Sequence, residues 1–266
     1  MEKRNFVKKT TDRRSFVVGI LEEFKKELSL ARRILVKPNI VSYEDYPTTT
    51  HPEVLAVVLD YLEGRDVAVA DGMAVDILTT HHSLVRHPLS RVCEERGAPL
   101  FDLHRGEART YQSPRKYSVS MNNLPKSFDF VISLPVLKSH AICKMTGALK
   151  NQFGYLCKSE RIKMHTHLKD IHKGIAEVNA IAPAQLFIID AVETLVGTNE
   201  RRHGGKRAHL GYMLGGVDPV AIDSAGLKLL QMVDEKLWGL APPDIPYLQY
   251  AHEYGLGNIE REVIEI

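Results

Sequence analysis

No run of this chain stays apolar for the ~18 residues that a membrane-spanning helix needs, so no helical span is expected in its 266 residues. The opening residues Met1-Glu2-Lys3-Arg4-Asn5 are charged and no apolar stretch follows them, so no secretory leader is expected either. Cysteine is scarce. Cys93, Cys143 and Cys157 are too few and too scattered for a disulfide framework or, without CxxC spacing, for an iron–sulfur site. They read as free thiols of a reducing compartment, the cytoplasm. Neither sign of charge dominates: 35 Lys+Arg stand against 33 Asp+Glu. The net +2 lacks the concentrated basic excess of a nucleic-acid binder. Internal repeats and low-complexity tracts are also missing. What is present is ordinary globular material, 44% hydrophobic and 26% charged. The length suits one large domain or two interwoven lobes, with a core that needs neither disulfides nor metal.

Short apolar runs end in polar or Gly/Pro punctuation. Residues 33–36 run into Lys37-Pro38-Asn39, residues 66–70 into Asp71-Gly72, residues 128–134 into Pro135, and residues 186–189 into Asp190. These read as buried strands that each deliver a polar group at the C-terminal end. Helical patterns lie between them at 53–62, 88–96, 168–181 and 219–230. The last follows Gly215-Gly216-Val217-Asp218-Pro219, a tight turn in which Asp218 can cap and Pro219 can open the helix. Alternating strand and helix predicts an α/β fold, a mostly parallel sheet with helices on both faces, as one unit or as two lobes with a cleft. Ligands of such sheets gather at the carboxyl ends of the strands. Residues 110–123 read as a hairpin or an edge. Residues 191–211, rich in Gly, Arg and His, read as a long loop of the lid or binding kind.

Two segments at predicted strand ends carry the richest chemistry. Lys37-Pro38-Asn39 is followed by Thr48-Thr49-Thr50-His51-Pro52-Glu53, where Thr50 and Glu53 have capping-box spacing. A helix start there suits a carboxylate or phosphate, and Lys37 adds a full charge. The plainer alternative is a capped helix beside a solvated lysine. The second segment, from Leu134 to Gly154, packs Lys138, His140, Lys144, Lys150 and Asn151 directly after a buried strand. His140 suits general acid/base work. A desolvated Lys150 suits a covalent adduct or an anionic substrate. A basic surface loop is the alternative, but Gly, Pro, amide, His and Lys together are poor material for simple packing.

Other candidates are weaker. His165, His167 and His172 cluster, yet His167 and His172 lack the i,i+4 spacing of a helical zinc site, and any metal would need ligands from elsewhere. His167 and His172 read as surface residues, while His165 remains a candidate metal ligand. Asp71 and Asp190 could orient a histidine or bind metal, or simply cap turns. The basic run 201–207 could close over an anion or meet a phosphate-bearing partner, and otherwise is solvated.

Taken together, these segments resemble the family known as domain of unknown function 362. The resemblance rests on Lys37-Pro38-Asn39, on Thr48 to Glu53, on Leu134 to His140, on Thr146-Gly147-Ala148-Leu149-Lys150-Asn151 with Gly154, and on Asp218-Pro219-Val220-Ala221-Ile222-Asp223. It covers about 31–230 of a chain read as a single α/β domain, 1–266. Many members carry a ferredoxin-like cysteine-rich segment. This chain does not, so an iron–sulfur role would require a partner protein. The order of segments is also similar to the nickel-pincer lactate racemase family. That resemblance implies Lys150 as the cofactor or substrate lysine, His165 as the metal ligand and His140 as the acid/base. The chain departs from that pattern at His51, which stands for an arginine, at the missing Gly-Gly-Arg before the lysine, and at Met164, which stands for an asparagine.

The expectation is an enzyme acting on a small anionic substrate by racemase/isomerase-like or redox chemistry, with a divalent metal or organometallic cofactor. Lys37, Asn39, Thr49, Thr50, His51, Lys138 and Asn151 would hold the substrate, with His140 and Lys150 catalytic and His165 on the metal. The alternative is a non-catalytic metal- or cofactor-binding protein, or an adaptor to an iron–sulfur partner.

Overall fold

The computed structural model describes residues 4–77 and 84–266. In chain order its strands are β1 (Asn5–Lys9), β2 (Arg33–Pro38), β3 (Asp66–Asp71), β4 (Leu100–Asp102), β5 (Ala108–Gln112), β6 (Ser118–Asn122), β7 (Phe130–Leu134), β8 (Lys138–His140), β9 (Lys144–Thr146), β10 (Leu186–Val196), β11 (Lys206–Gly216) and β12 (Ile264–Glu265). The helices are α1 (Arg13–Glu23), α2 (Lys25–Leu30), α3 (Pro52–Tyr61), α4 (Pro88–Glu94), α5 (Ala148–Asn151), α6 (Lys158–His165), α7 (Ile171–Ile181), α8 (Pro219–Leu230) and α9 (Pro246–Glu253). Among the described residues one sheet has eight strands in the order β12-β1-β11-β10-β7-β2-β3-β4. Only β11 runs against the others, so the sheet is mostly parallel.

The period of two along each central strand explains why both faces are covered. Ile34, Val36, Phe130, Ile132, Leu186 and Ile188 pack in one core with residues of α1, α3 and α4. Leu35, Val131, Phe187 and Ile189 pack in a second core with residues of α5, α7, α8 and α9. Each fully buried aliphatic side chain contributes about 1.5–3 kcal/mol relative to exposure.

Several expectations held. Asp218 caps α8 by accepting from the N–H of Val220 at 3.1 Å and Ala221 at 3.0 Å. The stretch around 110–123 is the β5–β6 hairpin. Others need correction. The expected long loop at 191–211 is mostly a hairpin, with Thr194, Leu195 and Val196 of β10 opposite Ala208, Arg207 and Lys206 of β11. Its charged composition hid the strands, because Glu193 and Arg207 pair across the hairpin at 3.4 Å rather than facing water alone. α7 starts at Ile171, not at Leu168, because Asp170 accepts from the N–H groups of His172 and Lys173 and Leu168 stays outside, exposed. The cap of α3 is His51, whose Nδ1 accepts from Glu53 N at 3.2 Å. Thr50 is not free to cap: its hydroxyl accepts from Asn39 N and donates to Leu134 O, each at 2.7 Å. Those two bonds tie the chain after β2 to the end of β7.

Because β2, β3 and β7 are parallel, their C-terminal ends meet on one side of the sheet. Lys37, Asp71 and the segment after Leu134 converge there.

Candidate functional site

A cavity of about 740 Å³ opens at these strand ends. Its wall includes Lys37, Asn39, Lys138, His140, Lys150, Asn151 and His165, so seven of the sequence candidates share it. Thr49, Thr50 and His51 do not line it. They border a second depression of about 540 Å³ together with Arg13, Tyr46 and Glu193. There His51 meets Tyr46 edge-on at 5.0 Å, and Thr49 donates to Glu44 O at 2.7 Å.

Lys37 lies in the floor and is buried, which removes the solvated alternative. Its amine donates to Asp71 Oδ1 at 2.5 Å and to Pro38 O at 3.0 Å. Asp71 also accepts from Ile40 N at 2.6 Å and Gly72 N at 2.7 Å, so one carboxylate fixes the lysine and two turns of chain. Burial holds the Lys37 ammonium below its usual pKa, with Asp71 opposing the shift. Gly154 packs against this pair: a β-carbon there would stand 2.5 Å from Asp71 Oδ1 and 2.8 Å from Lys37 Nζ.

Lys138, fully buried on β8, donates to Asn39 Oδ1 at 2.8 Å and Thr48 O at 2.5 Å. Burial pushes its amine down to about 7. Lys150 stands apart. Among the described residues its amine has no hydrogen bond and no ion pair, only the face of Phe153 at 4.5 Å. Burial lowers its pKa as well. Lys150 is positioned by α5, whose first N–H groups, Ala148 N and Leu149 N, donate to the buried Asp223 at 2.6 and 3.1 Å. A β-carbon at Gly147 would overlap Asp223 Oδ1, so the segment 146–151 and the residues 218–223 are two halves of one junction. Burial raises the Asp223 carboxyl to about 7. Asn151 donates through Nδ2 to Ser133 Oγ at 2.9 Å and Lys37 O at 3.3 Å.

The two cavity histidines are set in opposite ways. His140 Nδ1 accepts from Ile142 N and Cys143 N, both at 3.1 Å, so the neutral ring carries its proton on Nε2. Burial, then Lys150, keep the ring neutral by pushing its pKa well below the usual value. His165 Nδ1 lies 2.7 Å from Arg161 O, an acceptor, so Nδ1 donates and Nε2 is left with a lone pair. Burial lowers the His165 pKa too. That tautomer is the one a metal-ligating histidine adopts. His165 belongs to no set of three His, Cys, Asp or Glu ligands among the described residues. The set with suitable spacing is Asp76, Glu200 and His203. Arg202 already bonds both of its carboxylates, at 2.8 and 2.6 Å. A metal on His165 would therefore take its remaining donors from a cofactor or substrate.

Sequence reasoning missed Arg161, Asp76 and Glu200. Arg161 is buried and gives its guanidinium to Leu156 O, Gly72 O, Met73 O and Gly154 O, so it clamps the chain after β3 to the start of α6. Burial lowers it to about 10. The i,i+4 spacing of Arg161 and His165 on one helix was an available signal. No local pattern links Asp76 to Glu200. The basic run 201–207 is not simply solvated: Arg201 pairs with Asp45, Arg202 with Asp76 and Glu200, and Arg207 with Asp45 and Glu193. It borders the cavity through His203 and Gly204.

The fold and cavity define an α/β protein with a lysine- and histidine-lined site at the carboxyl ends of a mostly parallel sheet. Among the described residues no helix is long and apolar enough to cross a membrane. The chain belongs to the domain of unknown function (DUF362) family, whose sequence profile matches residues 34–228. It is 28% identical over 246 residues to the thylakoid-associated protein sll1697 of Synechocystis sp., a match covering 87% of this chain and 70% of that protein. Its fold is similar to that of the lactate racemase apoprotein from Thermoanaerobacterium thermosaccharolyticum, with a TM-score of 0.51, 12% identity and 86% of this chain covered. The chain spans 56% of that racemase chain. At this identity the likeness concerns the fold alone.

Proposed function

We propose that this protein is an enzyme that holds a small anion on Lys150 and moves a proton at it with the cavity histidines, His140 polarising the bound group and His165 Nε2 accepting the proton. The carrying observation is the Lys150 amine, buried at a cavity wall with no hydrogen bond or ion pair among the described residues. A buried ammonium without a counter-charge is costly to keep, and an incoming carboxylate or phosphate supplies what is missing. His140 Nε2–H is a hydrogen-bond donor that can polarise the bound anion, and His165 Nε2 carries the lone pair that can accept a proton, on the wall of the same cavity. This arrangement supports isomerase-like or redox proton chemistry. A divalent metal or organometallic cofactor would be held by His165, with Lys150 on an anionic group, and would supply Lewis-acid or hydride-accepting chemistry. The free thiols, two of the three buried, suit a reducing cytoplasmic setting.

The test is metal content by plasma mass spectrometry beside anion binding by calorimetry, on wild type, His140→Ala, Lys150→Ala and His165→Ala. An enzyme of this kind keeps binding but loses turnover in His140→Ala, and loses the anion in Lys150→Ala. A carrier or an adaptor to an iron–sulfur protein keeps its full function in His140→Ala. About one metal per chain in wild type, lost in His165→Ala, supports the metal role. No metal in either, in protein from its native host, removes it.

A further inference from the structure

Charge around the cavity is unevenly matched. Lys37 has Asp71, and Arg202 has Glu200 and Asp76. Three more buried cations line the wall with no carboxylate partner among the described residues. Lys138 meets only an amide oxygen and a backbone carbonyl. Arg161 meets four backbone carbonyls. Lys150 meets a ring face. Carbonyl oxygens satisfy hydrogen bonds but carry only partial charge, so they do not neutralise an ammonium or guanidinium.

The inner cavity, with the Arg202 that holds its acids, thus has five cations (Lys37, Lys138, Lys150, Arg161, Arg202) and three carboxylates (Asp71, Asp76, Glu200). With all five cations protonated, the excess is two positive charges. Lys236 at the mouth is exposed and set against Asp234, so it adds little. The histidines of the wall, His140 and His165, are kept neutral by burial and by Lys150.

Building on the reading of this cavity as an anion site, we propose that its ligand carries two negative charges at neutral pH, as a dicarboxylate or a phosphate monoester does. A monoanion would match one of these charges and leave the second lysine either unprotonated or buried without a counter-charge. A dianion closes the count, and it sits in a low-dielectric site where each charge matters more than in water. It also changes the proton balance. Lys138 faces Lys150, which disfavours its charge, and Glu200, Glu44 and Asp71, which favour it. Lys150 faces Arg161, and Cys143 on the opposing side. Burial has lowered both lysines, so an incoming dianion draws protons onto them, and binding proceeds with net proton uptake just above neutral pH.

Calorimetric titration of the full chain, just above neutral pH and in two buffers of different ionisation enthalpy, tests this. Methyl phosphate is compared with dimethyl phosphate, and succinate with its monomethyl ester. Each pair keeps its skeleton and differs by one negative charge. In one pair the dianion is expected to bind about tenfold or more tighter than its partner, with proton uptake. The pair that shows the contrast tells phosphate ester from dicarboxylate. Lys150→Met should abolish the contrast, and Lys150→Arg, which keeps the charge, should retain it. Equal affinities within both pairs overturn the dianion proposal while leaving the anion site standing. Binding of none of the four probes overturns both.

Discussion

The depression around His51 and the cavity around Lys150 draw on the same kinds of residue, and they differ in how charge is settled. Around His51, Arg13 Nε meets Asp190 at 2.6 Å, Tyr46 donates to the same carboxylate at 2.7 Å, and Arg207 meets Asp45 at 3.2 Å. Thr48 donates to Glu44 at 2.6 Å. Arg13, Asp190, Arg207 and Asp45 have each found an opposite charge and Glu44 a hydroxyl donor, and the result holds chain segments together. Around Lys150, Lys37 alone of Lys37, Lys138 and Lys150 has a carboxylate partner among the described residues. Polar residues that satisfy one another make scaffold, whereas polar residues that wait for something make a site. Residue type alone does not separate the two cases.

The most damaging way to disturb this contrast is Asp71→Ala. It would leave Lys37 buried without a counter-charge and the N–H groups of Ile40 and Gly72 without acceptors. A loss of about 3–5 kcal/mol in urea unfolding is expected, and a loss under about 1 kcal/mol would mean that the floor rearranges freely. Next comes the Asp223 carboxyl, raised to about 7 by burial. The folded state keeps a proton that the unfolded chain releases near pH ~4. Stability from this group therefore falls as pH rises from about 4 to about 7, by up to about 1.4 kcal/mol per pH unit, and is flat outside that window. In Asp223→Asn that slope should vanish. Parallel pH profiles for the two proteins would show that Asp223 titrates normally.

Lys150→Met sharpens the comparison from the other side. It should leave the melting temperature unchanged or higher, because a buried unmatched charge is removed, while anion affinity drops by about tenfold or more. A stability loss like that of Asp71→Ala would instead make Lys150 part of the scaffold. The mildest change is His51→Ala, which removes a helix cap for about 1 kcal/mol and should leave anion affinity untouched. A tenfold loss of affinity there would join the two depressions into one site.

The fold was largely readable. Central strands announced themselves by apolar runs that end in Lys37-Pro38, Asp71-Gly72 and Leu134-Pro135, and parallel pairing followed from the helices between them. The β10–β11 hairpin was not readable, because its pairing partners are charged and its bulge at Ala191/Glu193 breaks the alternation. The cavity lysines and histidines were legible as a cluster after one strand. The separation of Lys37, bound to Asp71, from Lys150, bound to nothing described, was not, since partners 34 residues apart leave no local trace. His51 and Thr50 misled for a related reason: a capping motif and an anion-binding helix start look alike in sequence, and only the bonds to Leu134 and Glu53 tell them apart.

The junction of Gly147 and Asp223 bears on how such a chain can change over generations. No side chain fits at 147 while a carboxylate occupies 223, and no shorter residue at 223 can reach the two N–H groups that start the Lys150 turn. A side chain at 147 therefore requires a change at 223 as well, and a shortened residue at 223 leaves the start of the Lys150 turn without its acceptor. The same holds where Gly154 presses on Lys37 and Asp71. Divergence among relatives should accumulate in the cavity's rim, at the hairpin tip 197–205, long before it reaches the floor, so new ligand preferences would arise from the rim inward.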